Sequence, residues 1–361
     1  MSAVLEGNGS SSAKGFFGHP RGLSTLFFTE MWERFSFYGI RPLLVLFMTA
    51  ALMEGGFNFE RGEATAIVGI YASSVYLASL PGGWIADRIV GLRRAILYGA
   101  ILISFGHISI GFSTFLGGKI TFFLGLVFIV LGTGLLKPNI SAIVGDLYPE
   151  GGARRDSGFS IFYMGINLGA FAGQLITGFL GETVGWHFGF GAAGVGMLLG
   201  LTVFAARAKS TLGDLGLHPT RPPDPAVNDR QVKNAKILLS IGFLILVTVI
   251  ILAAAGVMTI NAQVVGTNMA YVLVGLALVY FAYMFFAGGL NTDEKKRVVV
   301  IGVLFVFAAI FWSAFEQAPT SLNLFARDFT DRMIGGFEIP ATWFQSVNSA
   351  FIILLAPVFA F

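Results

Sequence analysis

Six ionisable residues sit inside stretches otherwise too apolar to hold them: Glu30, Glu33, Arg34 and Arg41 in one stretch, Lys137 in a second and Glu316 in a third. An ionisable group near the centre of a membrane-spanning helix costs about 2.5–3.5 kcal/mol on insertion scales, so each is a candidate for function. Positions 30, 33, 34, 37, 38 and 41 follow the three-and-four rhythm of one helical face. Two acids, two bases, Phe37 and Tyr38 therefore form one stripe, which must face a partner helix or a water-filled cavity rather than lipid. Among the six, acids and bases balance. Protonating one glutamate would release an Arg or Lys from its pair, and the freed cation could then take a carboxylate, so that proton and anionic solute bind together. For any one of these residues the competing reading is a structural ion pair locking two helices; six together favour function.

The elements that position them follow from composition. Of 361 residues, 55% are hydrophobic and 12% charged, with a mean hydropathy of +0.77; a water-soluble chain would have too little polar surface to cover its core. Glycine (47) and phenylalanine (37) are abundant, as close-packed membrane helices require. The absence of cysteine excludes disulfides and thiolate metal sites. Apolar runs long enough to span occur at 23–53, 64–86, 93–115, 119–145, 157–181, 187–206, 234–257, 268–289, 298–318 and 341 to the end. The fold class expected is an all-α, polytopic membrane helical bundle. Residues 1–20 read as a polar tail rather than a signal peptide. The division continues with a six-helix bundle at 21–208, a Pro-rich and charged linker at 209–232, a two-helix insertion at 233–292 and the start of a second bundle at 293–361.

The pI near 9.1 invites a nucleic-acid reading, but the basic residues lie in short loops between apolar runs. Assigning loops alternately from a cytoplasmic N-terminus places most of the 23 basic residues inside, among them Lys14, Arg21, Arg88, Arg93, Arg94, Arg154, Arg155 and Arg221; only Arg61, Lys119, Arg327 and Arg332 fall outside. The pattern GFGAAG at 189–194 matches a dinucleotide fingerprint, but it lies in an apolar helix with no preceding strand and reads as helix packing. The motifs of intramembrane proteases are lacking, so no enzyme is expected, and neither is a cofactor or metal.

At the charged stripe the sequence resembles a known family. EMWERFSFYG at 30–39 is similar to the ExxER signature of the proton-dependent oligopeptide transporters, a branch of the major facilitator superfamily. GGWIADRIVGLRR at 82–94, GLLKPNIS at 134–141, FYMGINLGAF at 162–171, FWSAFEQ at 311–317 and WFQSVNS at 343–349 resemble further segments in the family's order. The resemblance implies a major facilitator fold with a two-helix insertion between its bundles, importing di- and tripeptides with protons by alternating access across a bacterial inner membrane, as a monomer in the lipid bilayer. It assigns proton coupling to Glu30, Glu33, Arg34, Lys137 and Glu316, and the peptide carboxylate to Arg34, Lys137 and Arg41. Tyr38, Tyr76, Asn167, Trp312 and Asn348 would line the peptide cavity with Glu316, and Asp87, Arg88 and Arg93 would form the superfamily's conformational motif. Glu30, Glu33, Arg34 and Lys137 are expected to lie close together, and a Lys137 turned into lipid would contradict the scheme.

Three departures stand out. Phe37 occupies a position where many members carry a second tyrosine, the histidine some relatives have in the second helix is absent, and the chain stops at Phe361 inside an apolar run, so the rest of the second bundle is expected to be missing. His107 reads as a packing residue. The same fold carrying nitrate or a peptide-like metabolite, and a proton channel or membrane scaffold, are the competing functions.

Overall fold

The computed structural model describes residues 15–113, 115, 117–220 and 225–359; Lys14, most of the polar tail and Arg221 to Asp224 of the linker lie outside the described residues. The chain folds into helices α1 (Arg21–Thr49), α2 (Arg61–Ile85), α3 (Leu92–Phe112), α4 (Lys119–Asp146), α5 (Gly152–Phe179), α6 (Trp186–Leu212), α7 (Pro225–Ala254), α8 (Ala262–Phe286), α9 (Thr292–Phe315), α10 (Asn323–Phe329) and α11 (Trp343–Phe359). Among the described residues, eight spans are long and apolar enough to cross a membrane, the last running from Thr292 to Phe329 through a break between α9 and α10. Helix α1 is not one of the eight, since it carries Glu30, Glu33, Arg34 and Arg41.

Several boundaries differ from the apolar runs, each for a local reason. The first run was expected to continue to 53, but α1 stops at Thr49 and the chain closes through a short 3-10 turn, Leu52–Glu54, ended by Gly55 at φ +77°. Helix α9 starts six residues before its apolar run, because Asn291 caps it and Glu294 returns a hydrogen bond to the cap backbone. The run expected to end at 318 continues past Pro319 into α10. A two-residue antiparallel pair, β1 (Met333–Ile334) and β2 (Phe337–Glu338), interrupts the otherwise helical chain. Gly335 and Gly336 both have positive φ, as its two-residue turn requires.

Small residues set the packing. A Cβ on Gly99 or Gly106 of α3 would stand 2.6 Å from the carbonyl oxygen of Gly132 or Gly125 of α4, so these helices touch backbone to backbone. Helix α5 approaches α1 more closely still: a Cβ at Gly169 would lie 2.1 Å from the Met31 carbonyl oxygen, and one at Gly173 2.3 Å from that of Phe35. The glycine pattern at 189–194 lies within α6, where Gly189 backs onto Gly181 and the Thr177 carbonyl. Helix α1 is consequently buried along nearly its whole length. Helices α7 and α8 instead expose large aliphatic and aromatic side chains over most of their surface, as lipid contact demands.

Candidate functional site

The stripe on α1 holds its charges inward. Arg34 is 2% exposed, and its Nε lies 2.8 Å from Glu30 Oε1 and 2.6 Å from Glu33 Oε2. Both acids are buried. Distance pairs these groups but alignment does not, since Glu30 Oε2, both Glu33 oxygens and Arg34 Nη2 have no hydrogen-bond partner among the described residues. Buried charges held this way retain capacity for a proton or a further polar group.

Two turns along, Arg41 pairs through Nη2 with Glu316 Oε2. Glu316 caps the C-terminus of α9 at the break that leads through Pro319 into α10. Irregular backbone at membrane depth is tolerated where it lines a cavity or is buried in protein. Phe37 lies between the two cations, with the Arg34 guanidinium 5.2 Å and that of Arg41 5.5 Å from its ring centroid. A phenyl face is suited to that contact, which gives a physical role to the position where a tyrosine was expected.

Lys137 on α4 is half-buried, and its ammonium lies 4.4 Å from the ring centroid of Tyr76 on α2. It interacts electrostatically with Arg34, Glu33, Glu30 and Arg41 but sits against an aromatic face rather than in an ion pair. Tyr38 is half-buried beside Phe37 and Arg34. Asn167 is buried but donates from Nδ2 to the Tyr163 carbonyl one turn back on its own helix, at 3.0 Å. Trp312 is half-exposed against Phe311 and Phe315, and Asn348 lies on an exposed face of α11. Glu30, Glu33, Arg34, Arg41, Lys137, Tyr38, Tyr76 and Glu316 thus share one region, whereas Asn167, Trp312 and Asn348 are only loosely joined to it.

Asp87 and Arg88 occupy the turn between α2 and α3, and Arg93 is the second residue of α3. The Arg93 backbone N–H donates to the Gly216 carbonyl (2.8 Å), its guanidinium donates to that of Gly213 (2.5 Å), and Arg88 donates to Thr220 (3.3 Å). This turn therefore holds the segment that leaves α6, while Asp87 is exposed.

Two features escaped the sequence reading. Tyr71 on α2 is 4% exposed, its hydroxyl has no hydrogen-bond partner among the described residues, and it interacts electrostatically with Arg41, Glu33 and Arg34. Its position one turn and a half before Tyr76 on the same helix was the available signal. Glu182, which follows α5 in a π-helical turn, accepts hydrogen bonds from the Ala341 N–H (2.8 Å), the Thr342 N–H (2.9 Å) and the Thr342 hydroxyl (2.7 Å). Asn323 donates to the Pro42 carbonyl, Arg327 to Thr49, and Arg61 pairs with Asp328. These contacts seal α10 and the start of α11 against the ends of α1, α2 and α5. No local sequence signal marks Glu182, because its partners lie about 160 residues away.

The POT family model matches residues 93–361. A peptide transporter of Yersinia enterocolitica is 51% identical over 349 residues, covering 96% of this chain and 67% of that protein. A di-/tripeptide transporter of Lactococcus lactis is 36% identical over 361 residues, covering 98% of this chain and 71% of that protein. The crystal structure of a POT family transporter in complex with 5-aminolevulinic acid superposes with a TM-score of 0.85 at 38% identity, covering 96% of this chain and 70% of that one. With its bundled spans and matching structural neighbours, this multi-pass, helical membrane chain of the major facilitator type belongs to the POT family of transporters.

Proposed function

We propose that the chain is the substrate- and proton-handling part of a symporter that imports di- and tripeptides with protons, and that it is not an enzyme. The observation that carries this reading is the buried Arg34 set against Glu30 and Glu33, next to an Arg41–Glu316 pair that joins α1 to the broken helix α9–α10. Protonation of a glutamate weakens its hold on the neighbouring guanidinium. At an effective dielectric near 20, a pair of unit charges at 4 Å is worth about 4 kcal/mol, enough to switch Arg34 or Arg41 from internal partner to hydrogen-bond donor for a peptide carboxylate. Lys137 adds a second positive end to the site, and Tyr38, Tyr76, Asn167, Trp312 and Asn348 supply polar and aromatic walls. The names of the Yersinia and Lactococcus relatives support peptides as the cargo.

The basic-residue bias supports a cytoplasmic N-terminus in a bacterial inner membrane. In that orientation the seal at Glu182, Asn323 and Asp328 faces outward, so the site is closed from outside, and Asp87, Arg88 and Arg93 sit on the cytoplasmic side, where they hold the linker at 209–232 between the bundle at 21–208 and the hairpin and second bundle at 233–292 and 293–361. The protein works as a monomer, with one site between its two bundles. A second reading, a small peptide-like metabolite as cargo, is favoured by the 5-aminolevulinic acid complex of a structural neighbour.

The test uses the full-length protein in proteoliposomes loaded with a pH dye, under an inside-negative potential that supplies about 2.3 kcal/mol per charge per 100 mV. Dialanine-dependent acidification that disappears in Glu316→Gln is the expected result. Acidification with 5-aminolevulinic acid alone would select the second reading, and acidification without any solute would replace both with a channel.

A further inference from the structure

Beside the bundle lies a cavity of about 680 Å³ that the transport reading does not use, bounded by α2, α4, α7 and α8. It exists because the two helices of the α7–α8 hairpin meet the bundle differently. Helix α8 lies against α2, with Gly266 facing Ala66 and Ile70. Helix α7 stands away from α4 and leaves a wedge walled by Ile67, Ile70, Phe123, Val127, Val249 and Ile250.

The depth of the wedge matches one leaflet. Its interfacial end is lined by Phe59, Glu63 and Lys119 together with Met258 and Ile260 of the α7–α8 connection, and its lining on α4 reaches Leu131. Lys119 is the first residue of α4; from there to Leu131 the helix rises about 18 Å at 1.5 Å per residue, slightly more than half of a hydrocarbon core about 30 Å thick. An apolar slot that opens at the interface and ends near the midplane has the dimensions of an acyl chain.

The mouth carries both charges of a zwitterion. The Lys119 side chain is exposed, with its ammonium 4.2 Å from the Phe59 ring centroid and 5.8 Å from that of Phe57. Glu63 lies on the same rim, and neither it nor Lys119 has an ion-pair partner among the described residues. A lysine ammonium donates charge-assisted hydrogen bonds to a phosphate, and a carboxylate accepts them from a primary ammonium but not from a quaternary one. An anionic headgroup without an amine would meet Glu63 unfavourably.

We propose that this cavity binds one aminophospholipid of the phosphatidylethanolamine type, with a tail in the wedge, its phosphate on Lys119 and its ammonium on Glu63. The lipid fills the gap between bundle and hairpin, so the hairpin docks through it as well as through α8. All residues involved lie between 59 and 265, and the proposal is independent of what is transported.

The test is native mass spectrometry of the delipidated protein with equal amounts of phosphatidylethanolamine, phosphatidylcholine and phosphatidylglycerol of identical tails. Ethanolamine lipid is expected to be retained about fivefold over choline lipid, Lys119→Ala to lower retention about fivefold, the change in population for one interfacial cation, and Glu63→Gln to abolish discrimination between the two. For independence from folding defects, Ile250→Trp serves as a reporter in the wedge, quenched more by brominated ethanolamine lipid than by brominated choline lipid. Equal retention of all three lipids in parent and variants, or a preference for the glycerol lipid that Glu63→Gln leaves unchanged, would overturn the proposal.

Discussion

Replacing Gly169 by alanine adds one methyl group where α5 meets α1 at its most sensitive point. That methyl would stand 2.1 Å from the Met31 carbonyl oxygen, 3.0 Å from the Met31 carbonyl carbon and 3.0 Å from the Phe35 backbone nitrogen. These are backbone atoms of the turn that carries Glu33 and Arg34, so no side chain can rotate away. Restoring the shortest of these contacts to 3.0 Å requires the two helices to part by about 0.9 Å. Overpacking of this kind costs about 1–3 kcal/mol, offset by roughly 1 kcal/mol from the better helix propensity of alanine, for a net loss of up to about 2 kcal/mol. Gly69 on α2 provides the control, since nothing lies within 4 Å of its added Cβ, and Gly69→Ala should be neutral or slightly stabilising. In detergent, Gly169→Ala should lower the thermal midpoint by about 1 °C per kcal/mol. Dialanine uptake in the full-length protein should fall more steeply, by up to about a hundredfold, because a shift near 1 Å misplaces reacting groups. Equal midpoints and equal uptake for the two variants would refute the claim that glycine contacts set the position of the charged stripe.

Glu182→Ala removes the acceptor for three donors at the start of α11, a loss of about 1–3 kcal/mol from the sealed end. Residues 1–361 contain no cysteine, so a single cysteine introduced at Ser346, 4% exposed, reports directly, and its maleimide labelling should accelerate about tenfold or more; unchanged labelling would mean that Glu182 does not hold the seal. Phe37→Leu keeps an apolar side chain between Arg34 and Arg41 but removes the ring face both guanidiniums approach. It should cost about 1–2 kcal/mol in thermal stability while Phe37→Tyr stays near the parent, and equal effects from the two would rule out a cation–ring contribution.

How much of this was legible depends on the range of each interaction. The common face of Glu30, Glu33, Arg34, Phe37, Tyr38 and Arg41 follows from helical spacing alone, and the helix ends that moved did so through nearby residues: Gly55 after α1, Asn291 and Glu294 before α9. The extension past Pro319 was harder to see, because a proline after an apolar run usually marks a stop. The site is harder still. Spacing says that Arg34 and Arg41 share a face; that one meets Glu30 and Glu33 on its own helix and the other Glu316, 275 residues away, is decided by packing.

Apolar composition, the rhythm of the charged stripe and the ordered segments from EMWERFSFYG to WFQSVNS were therefore enough to determine a membrane-embedded helical transporter and to name the residues around which it is built, since hydropathy and helical periodicity are properties of neighbouring residues. Tertiary structure alone decided that Lys137 rests on Tyr76, that Phe37 separates two guanidiniums, that Glu182 closes one end, and that α7 stands off to leave a lipid-sized wedge. Each of these depends on how closely two backbones approach. That distance is set by glycines such as Gly169 and Gly82 acting with residues on another helix, and no single helix contains it.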